Sequence, residues 1–381
     1  MASEADHSHV PAGLSSALAD IVRQPLMWLL LALPAAAIVN RFAPGGLAVF
    51  MLSALAIVPL AGLMGRATEN LAETFGAGIG GLLNATFGNA AELIIALAAL
   101  SRGPQMYDLV KATITGSIIG NILLVLGLSF VAGGLRWPVQ YFNRTAASMG
   151  ATLLALASIG LIMPAVHYYL VRDQASVESL SEEIAAILAG IYLLSLLFSL
   201  WTHRHLFAGP EHAVPKAGEH AQPEWSRSTA TALLVAATAG VAWMSELLVG
   251  SVEHAAHAVG MNQVFVGVIV VAVIGNAAEH STAVLMAMKN KIDLSVHIAV
   301  GSGIQIALFV APALVFLSMG FGHSHPLDLH FTPLETIAVI LSVLVLALVS
   351  QDGETHWMEG VMLLGVYAII ALAFYNLPMV E

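Results

Sequence analysis

Long apolar runs separated by short polar breaks dominate this chain from residue 25 to its end. Most runs reach the roughly 20 residues that a helix needs to cross a hydrocarbon core of about 30 Å. Eleven such segments lie near 25–41, 46–66, 78–101, 107–132, 145–165, 182–204, 229–250, 262–288, 294–319, 333–350 and 357–377. Their length and near-uniform apolarity predict membrane-spanning helices. Residues 1–24 read as a polar tail carrying Glu4, Asp6, His7 and His9, with no signal-peptide pattern. The one long break, 205–228, is a linker rich in His, Glu, Pro and Gly.

Composition supports this picture. Apolar residues make up 58% of the 381 residues, charged residues only 10%, and mean hydropathy is +0.85. An ordinary soluble domain carries roughly 25% charged residues to cover its surface. The net charge of −11 excludes the basic footprint of a nucleic-acid binder. Cys is absent, which excludes disulfides, thiolate metal sites and Cys nucleophiles. Fold class is therefore an all-α polytopic membrane protein whose partner is the lipid bilayer. With eleven spans, the N-terminal face collects Arg23, Arg66, Arg136, Arg144, Arg204, Lys216, Arg227, Lys289 and Lys291. The other face holds Arg41, Arg102, Lys111 and Arg172. By the positive-inside rule the N-terminus and the linker are cytoplasmic. The Ala-rich composition points to a bacterial inner membrane.

A duplication organises the chain. Gly88-Asn89-Ala90-Ala91-Glu92 recurs as Gly275-Asn276-Ala277-Ala278-Glu279, and Gly116-Ser117 recurs as Gly301-Ser302. Upstream, Glu69 and Gly76 match Glu253 and Gly260. The order and spacing of these features give two repeats, 46–204 and 229–381, with 25–45 as an additional helix. The matched spans lie five apart, so the repeats are expected to cross the membrane in opposite directions, as in secondary transporters.

Glu92 and Glu279 each interrupt an apolar span, where a carboxylate costs on the order of 2.5–3.5 kcal/mol on insertion scales. Such acids mark ion pathways. Asn89 and Asn276 stand three residues before them, on the same helix face. Two carboxylates with two amide oxygens suit a hard divalent cation such as Ca²⁺. Close together in a low dielectric, the acids cannot both stay ionised unless a cation or protons neutralise them. Ser117 and Ser302, with Gln305 three and Asn121 four residues further on in their spans, are candidates to complete the shell; Gly116-x-x-x-Gly120 is equally a close-packing pattern. Glu69 and Glu253, at span ends, are candidates for an access path. His280 follows Glu279 directly but points about 100° away. The loop histidines His203, His205, His212 and His220 read as a polar linker.

At these residues the chain resembles the calcium/proton exchanger family of the calcium/cation antiporter superfamily. The resemblance rests on GIGGLLNATFGNAAELIIALAAL from Gly78, on Gly116-Ser117-Ile118-Ile119-Gly120-Asn121, on the stretch from Gly275 to Pro312, and on the closing DGETHWMEGVMLLGVYAIIALAF. It implies export of cytosolic Ca²⁺ against inward H⁺, with Glu92 and Glu279 as alternating Ca²⁺ and H⁺ ligands. It also implies Asn89, Asn276, Ser117, Ser302 and Gln305 as site-lining residues. Gly120 stands where relatives often have a polar residue, and the linker has only Glu211, Glu219 and Glu224 where relatives are strongly acidic. No nucleotide-binding pattern and no cofactor site appear, so the expectation is a gradient-driven transporter and not an enzyme. Exchange of Na⁺, K⁺ or Mn²⁺ on the same fold, and a cation channel, are the alternatives.

Overall fold

In a membrane every backbone polar group needs an internal partner, which favours unbroken helices. The computed structural model, which describes residues 13–206 and 224–378, is built in this way. Eight helices are long and apolar enough to cross a membrane: Pro25–Phe42, Leu47–Phe75, Pro104–Gly134, Arg144–Val171, Gln174–Thr202, Arg227–Ala258, Ile292–Met319 and Trp357–Tyr375. Two bent helix pairs, Ile79–Phe87 with Ala90–Leu100 (42°) and Gln263–Gly275 with Ala277–Met288 (62°), are together long and apolar enough for one crossing each. The remaining predicted span is the 17-residue helix Pro333–Val349, about 25 Å long at 1.5 Å per residue. Every predicted segment thus has a helical counterpart, while eight to ten, not eleven, meet the length of a crossing.

Two boundaries differ from expectation. The expected polar break between the second and third spans is helical on both sides, from Leu47 to Phe87. The chain nevertheless reverses there: Gly80 sits directly on the carbonyl of Ala72 with no room for a Cβ. Eight residues along a straight helix would lie about 12 Å apart. The tail also differs, because Leu14–Arg23 is a helix packing Ala17 and Ile21 inward. Its polar look came from residues 1–12, which lie outside the described residues. So do Glu211, His212, Lys216, Glu219 and His220 of the linker. The linker's far edge is docked: Trp225 is buried, its N–H donates to Asn70 Oδ1, and Arg66 both stacks on its ring and pairs with Glu224.

Contacts between connections define two ends of the bundle. At one end, called A, Arg66 meets Glu224, Gln140 meets Ala287 and Asn290, and Asn143 meets Asp293 and Leu206. A two-residue β-bridge, Gln140–Tyr141 with Glu354–Thr355, closes the same end. At the other, end B, Leu100 meets His323, Met106 meets Gln263, Lys111 meets Asp328, and Asn262 meets Phe374. The third span therefore reaches end B at Leu100, where the eighth span begins at Gln263. The two motif-bearing spans run antiparallel, as the odd repeat offset requires. A π-helical turn follows each Gly-Ser pair, at Gly120–Val125 and at Ile306–Val310, so the repeats correspond in local backbone as well as in residues.

Candidate functional site

Each motif sits where its helix breaks. Asn89 (φ −102°, ψ 28°) and Asn276 (φ −92°, ψ 4°) leave helical geometry, and new half-helices start at Ala90 and Ala277. Glu92 and Glu279 are the third residues of those half-helices. A helix start exposes unpaired N–H groups and the positive end of the macrodipole, so both carboxylates lie where negative charge is best tolerated. Because the helices are antiparallel, the two starts meet in mid-bundle.

The glycines explain how closely they meet. Gly275 packs against Glu92: a Cβ there would lie 3.3 Å from Glu92 Cγ and 3.6 Å from Oε1. Reciprocally, a Cβ at Gly88 would lie 3.8 Å from Glu279 Oε1 and 3.1 Å from Gln305 Oε1. Each glycine leaves room for the other repeat's acid.

A chain of side-chain hydrogen bonds runs across the same plane and always from one repeat to the other. Asn89 Nδ2 donates to Gln305 Oε1 (2.5 Å), and Ser302 Oγ donates to Asn89 Oδ1 (2.8 Å). Asn276 Nδ2 donates to Ser117 Oγ (3.0 Å). Asn121 Nδ2 joins the halves by donating to Ser302 Oγ (2.8 Å) and Asn276 Oδ1 (3.3 Å). Asn89, Glu92, Ser117, Asn121, Asn276 and Ser302 are all buried. Three acceptors in this network, Glu92 Oε2, Glu279 Oε2 and Asn121 Oδ1, are buried without a hydrogen-bond partner. A buried carboxylate oxygen in that condition is stable only with a proton or a cation. Among the described residues there is no cluster of three or more His, Asp or Glu, so the donor set is two carboxylates with neutral amide and hydroxyl oxygens. That is a hard-cation set.

Eight of the ten sequence-predicted residues thus come together: Glu92, Glu279, Asn89, Asn276, Ser117, Ser302, Gln305 and Asn121. Asn121 proves to be the hub, and its i+4 spacing from Ser117 was the signal for it. Glu69 and Glu253 are not at the site; both are exposed, Glu69 toward end A near Glu73 and Glu224, and Glu253 toward end B. The site is asymmetric. Glu92 is only 3% exposed, whereas Glu279, Gln305 and Gly88 are partly open. The half-helices leading to end A, Ile79–Phe87 and Ala277–Met288, carry exposed positions such as Asn84, Thr86, Ser281 and Thr282, while Ala90–Leu100 toward end B is mostly buried. The side of the site toward end A is the more exposed, and the side toward end B is the more buried. His280 is buried beside it with Nε2 unpartnered.

Broken antiparallel helices whose starts converge on paired acids define an integral membrane transporter of the exchange type. The profile of the sodium/calcium exchanger protein family matches residues 45–201 and 229–376, and the chain belongs to that family. It is 46% identical over 347 residues to a Ca²⁺/H⁺ antiporter of Synechocystis, covering 88% of this chain and 92% of that protein. It is also 46% identical over 329 residues to the Ca²⁺/H⁺ antiporter ChaA of Bacillus subtilis, covering 86% and 92%. The solved structure of native YfkE superposes with a TM-score of 0.78 at 41% identity, covering 92% of this chain and all (100%) of that one. The crystal structure of the H⁺/Ca²⁺ exchanger CAX shares the fold at 13% identity, with a TM-score of 0.67 over 92% of this chain and 91% of that one. These comparisons place the chain among the calcium/cation antiporters.

Proposed function

We propose that this protein is a secondary antiporter that exports Ca²⁺ from the cytosol in exchange for H⁺, and is not an enzyme. The reading rests on one observation above all: two carboxylates from opposite repeats, each with a buried and unpartnered oxygen, lie beside one oxygen-rich side-chain network. Ca²⁺ takes six to eight oxygens. Glu92, Glu279, Asn89, Asn276, Ser117, Ser302 and Gln305, with Asn121, are the lining that would hold it. Two carboxylates neutralise the dication. When it leaves, protons take its place, because two bare carboxylates are not tolerated at close range in a low dielectric. Only the neutral occupied forms would cross between the open-to-A and open-to-B states, so Ca²⁺ one way is tied to H⁺ the other. The chain is similar to proteins named as Ca²⁺/H⁺ antiporters over most of its length, which favours Ca²⁺ over Na⁺, K⁺ or Mn²⁺ as cargo.

In the same reading, the repeats are 46–204 and 229–381, the helix 25–45 is an addition, and end A with the N-terminus and the 205–228 linker faces the cytoplasm of a bacterium. The more exposed side of the site would then face the cytosol. The test is ⁴⁵Ca²⁺ flux in proteoliposomes. Acid-loaded vesicles should take up Ca²⁺ and lose their pH gradient in step with it. A pH gradient that collapses without Ca²⁺ would mean a channel, and excess Mn²⁺ or Na⁺ abolishing the uptake would name another cargo.

A further inference from the structure

The closure at end B has a fastener that the repeat does not duplicate. Arg102 follows the half-helix Ala90–Leu100, which carries Glu92, and its Nη2 donates to the carbonyl of Glu246 (3.1 Å) and to the Glu246 carboxylate (3.4 Å). Glu246 belongs to the seventh span, Arg227–Ala258, which packs along the second span. One helical turn on, Gly250 makes room for the guanidinium, since a Cβ there would lie 2.8 Å from Nη2. Arg102 thus ties the Glu92 half-site to the seventh span on the more buried side of the site.

The repeat arithmetic gives the equivalent positions at end A. The offset of 187 that relates the motifs carries Arg102 to Lys289. The offset of 184 that relates Glu69 to Glu253 carries Glu246 back to Gly62 and Gly250 back to Arg66. End A therefore has the cation but lacks the acid, and it has an arginine where end B has the accommodating glycine. Closing end A in the manner of end B would bring Lys289 toward Arg66, whose carboxylate partner, Glu224, comes from the linker edge and not from the equivalent position of the packed helix. Two otherwise equivalent closures thus differ by one helix-to-helix ion pair, which end B has and end A lacks.

We propose that Arg102 and Glu246 form a one-sided latch that holds end B shut and biases the empty transporter toward the state open at end A. The inference rests on the alternating-access reading above and adds a cause for the resting state. With that orientation, the latch keeps the site presented to cytosolic Ca²⁺ until occupancy releases it. Both side chains are partly exposed, so the bias is modest: an exposed ion pair shifts an equilibrium by about 1.5- to 5-fold.

The test needs no transport. The chain has no Cys, so Ser101→Cys and His254→Cys, both exposed at end B, give a spin-label pair whose distance reports the opening of that end. In nanodiscs without Ca²⁺, Arg102→Gln and Glu246→Gln should each raise the ratio of long-distance to short-distance populations by about 1.5- to 5-fold. The swaps Arg102→Glu and Glu246→Arg should each do the same, and the double swap should restore the parental distribution. Populations unchanged in the single variants, or a double swap as shifted as the two singles combined, would overturn the latch. Because the readout is a distance, it can fail while Ca²⁺/H⁺ exchange stands, and the reverse.

Discussion

Gly275 and Gly88 are the residues on which the spacing of the two acids depends. Gly275→Ala places a methyl 3.3 Å from Glu92 Cγ, and the buried carboxylate must move to accommodate it. Ca²⁺ binding should weaken by about tenfold, which corresponds to 1.4 kcal/mol, with the fold kept; calorimetric titration in detergent checks this. Gly116 and Gly301 are equivalent in the repeat and opposite in consequence. Gly116 is pressed on the backbone of Val268, whereas Gly301 faces open space. Gly116→Ala should lose folded protein on size exclusion, and Gly301→Ala should elute as the parent does. A symmetric outcome would contradict the packing described here. Sequence could name both glycines but not separate them, since the separation comes from what the other repeat places opposite. Asn121 is a similar case. Its position along the helix was visible in the sequence, but its role in joining the repeats was not, because the partners Ser302 and Asn276 lie 181 and 155 residues away.

At the scale of elements, helices and their order were legible, because hydrophobic length is a one-dimensional property. The breaks within the third and eighth spans were not. Gly-Asn inside an apolar run permits a bend, but what stabilises it is the cross-repeat bonding of the Asn side chains. The connection 320–332 was missed for a related reason. Nothing in its sequence marks it for burial, yet Leu327, Asp328, Leu329 and Phe331 are buried at end B. Its backbone is satisfied from outside the loop: Leu327 N–H by Ser318, Leu329 N–H by Ser181, and the His330 carbonyl by Lys111. Asp328 pairs with Lys111 and accepts from Gln174. Burial pushes the Asp328 carboxyl up, but the Lys111 charge and the hydrogen bonds from Lys111, His330 N–H and Gln174 outweigh it and hold it below its ordinary value. A depressed native pKa stabilises above the unfolded value of about 3.9 and is lost only as pH falls through the lower native one. Stability contributed by this group should thus be level from about pH 5 to 8. Asp328→Asn leaves a buried lysine charge uncompensated and should cost about 3–5 kcal/mol. Thermal denaturation should show a clear fall in Tm; an unchanged Tm would mean that Lys111 finds another partner.

For the whole molecule, antiparallel repeats sharing one site make the two ends nearly interchangeable, so orientation rests on charge alone. Arginines and lysines cluster at end A, and the sequence anticipated this from loop counts. A single Cys at Lys291 should then react with an impermeant maleimide only after cells are permeabilised, and one at Arg172 should react in intact cells. The opposite pattern would reverse the export direction. The duplication was the most legible feature of all, because the matching pentapeptides are local. Which way the site stands open was not legible, since both repeats carry the same acid and only the packed structure distinguishes a 3% exposed Glu92 from a partly open Glu279.

Competition between Ca²⁺ and protons for the same pair of carboxylates is the core of the proposed exchange. Proton release on Ca²⁺ binding, followed with a pH dye in weakly buffered detergent solution, measures that competition directly. Release from the parent protein should grow as the starting pH is lowered, and it should be lost in both Glu92→Gln and Glu279→Gln. Ca²⁺ binding without proton release, or release that survives either substitution, would contradict it.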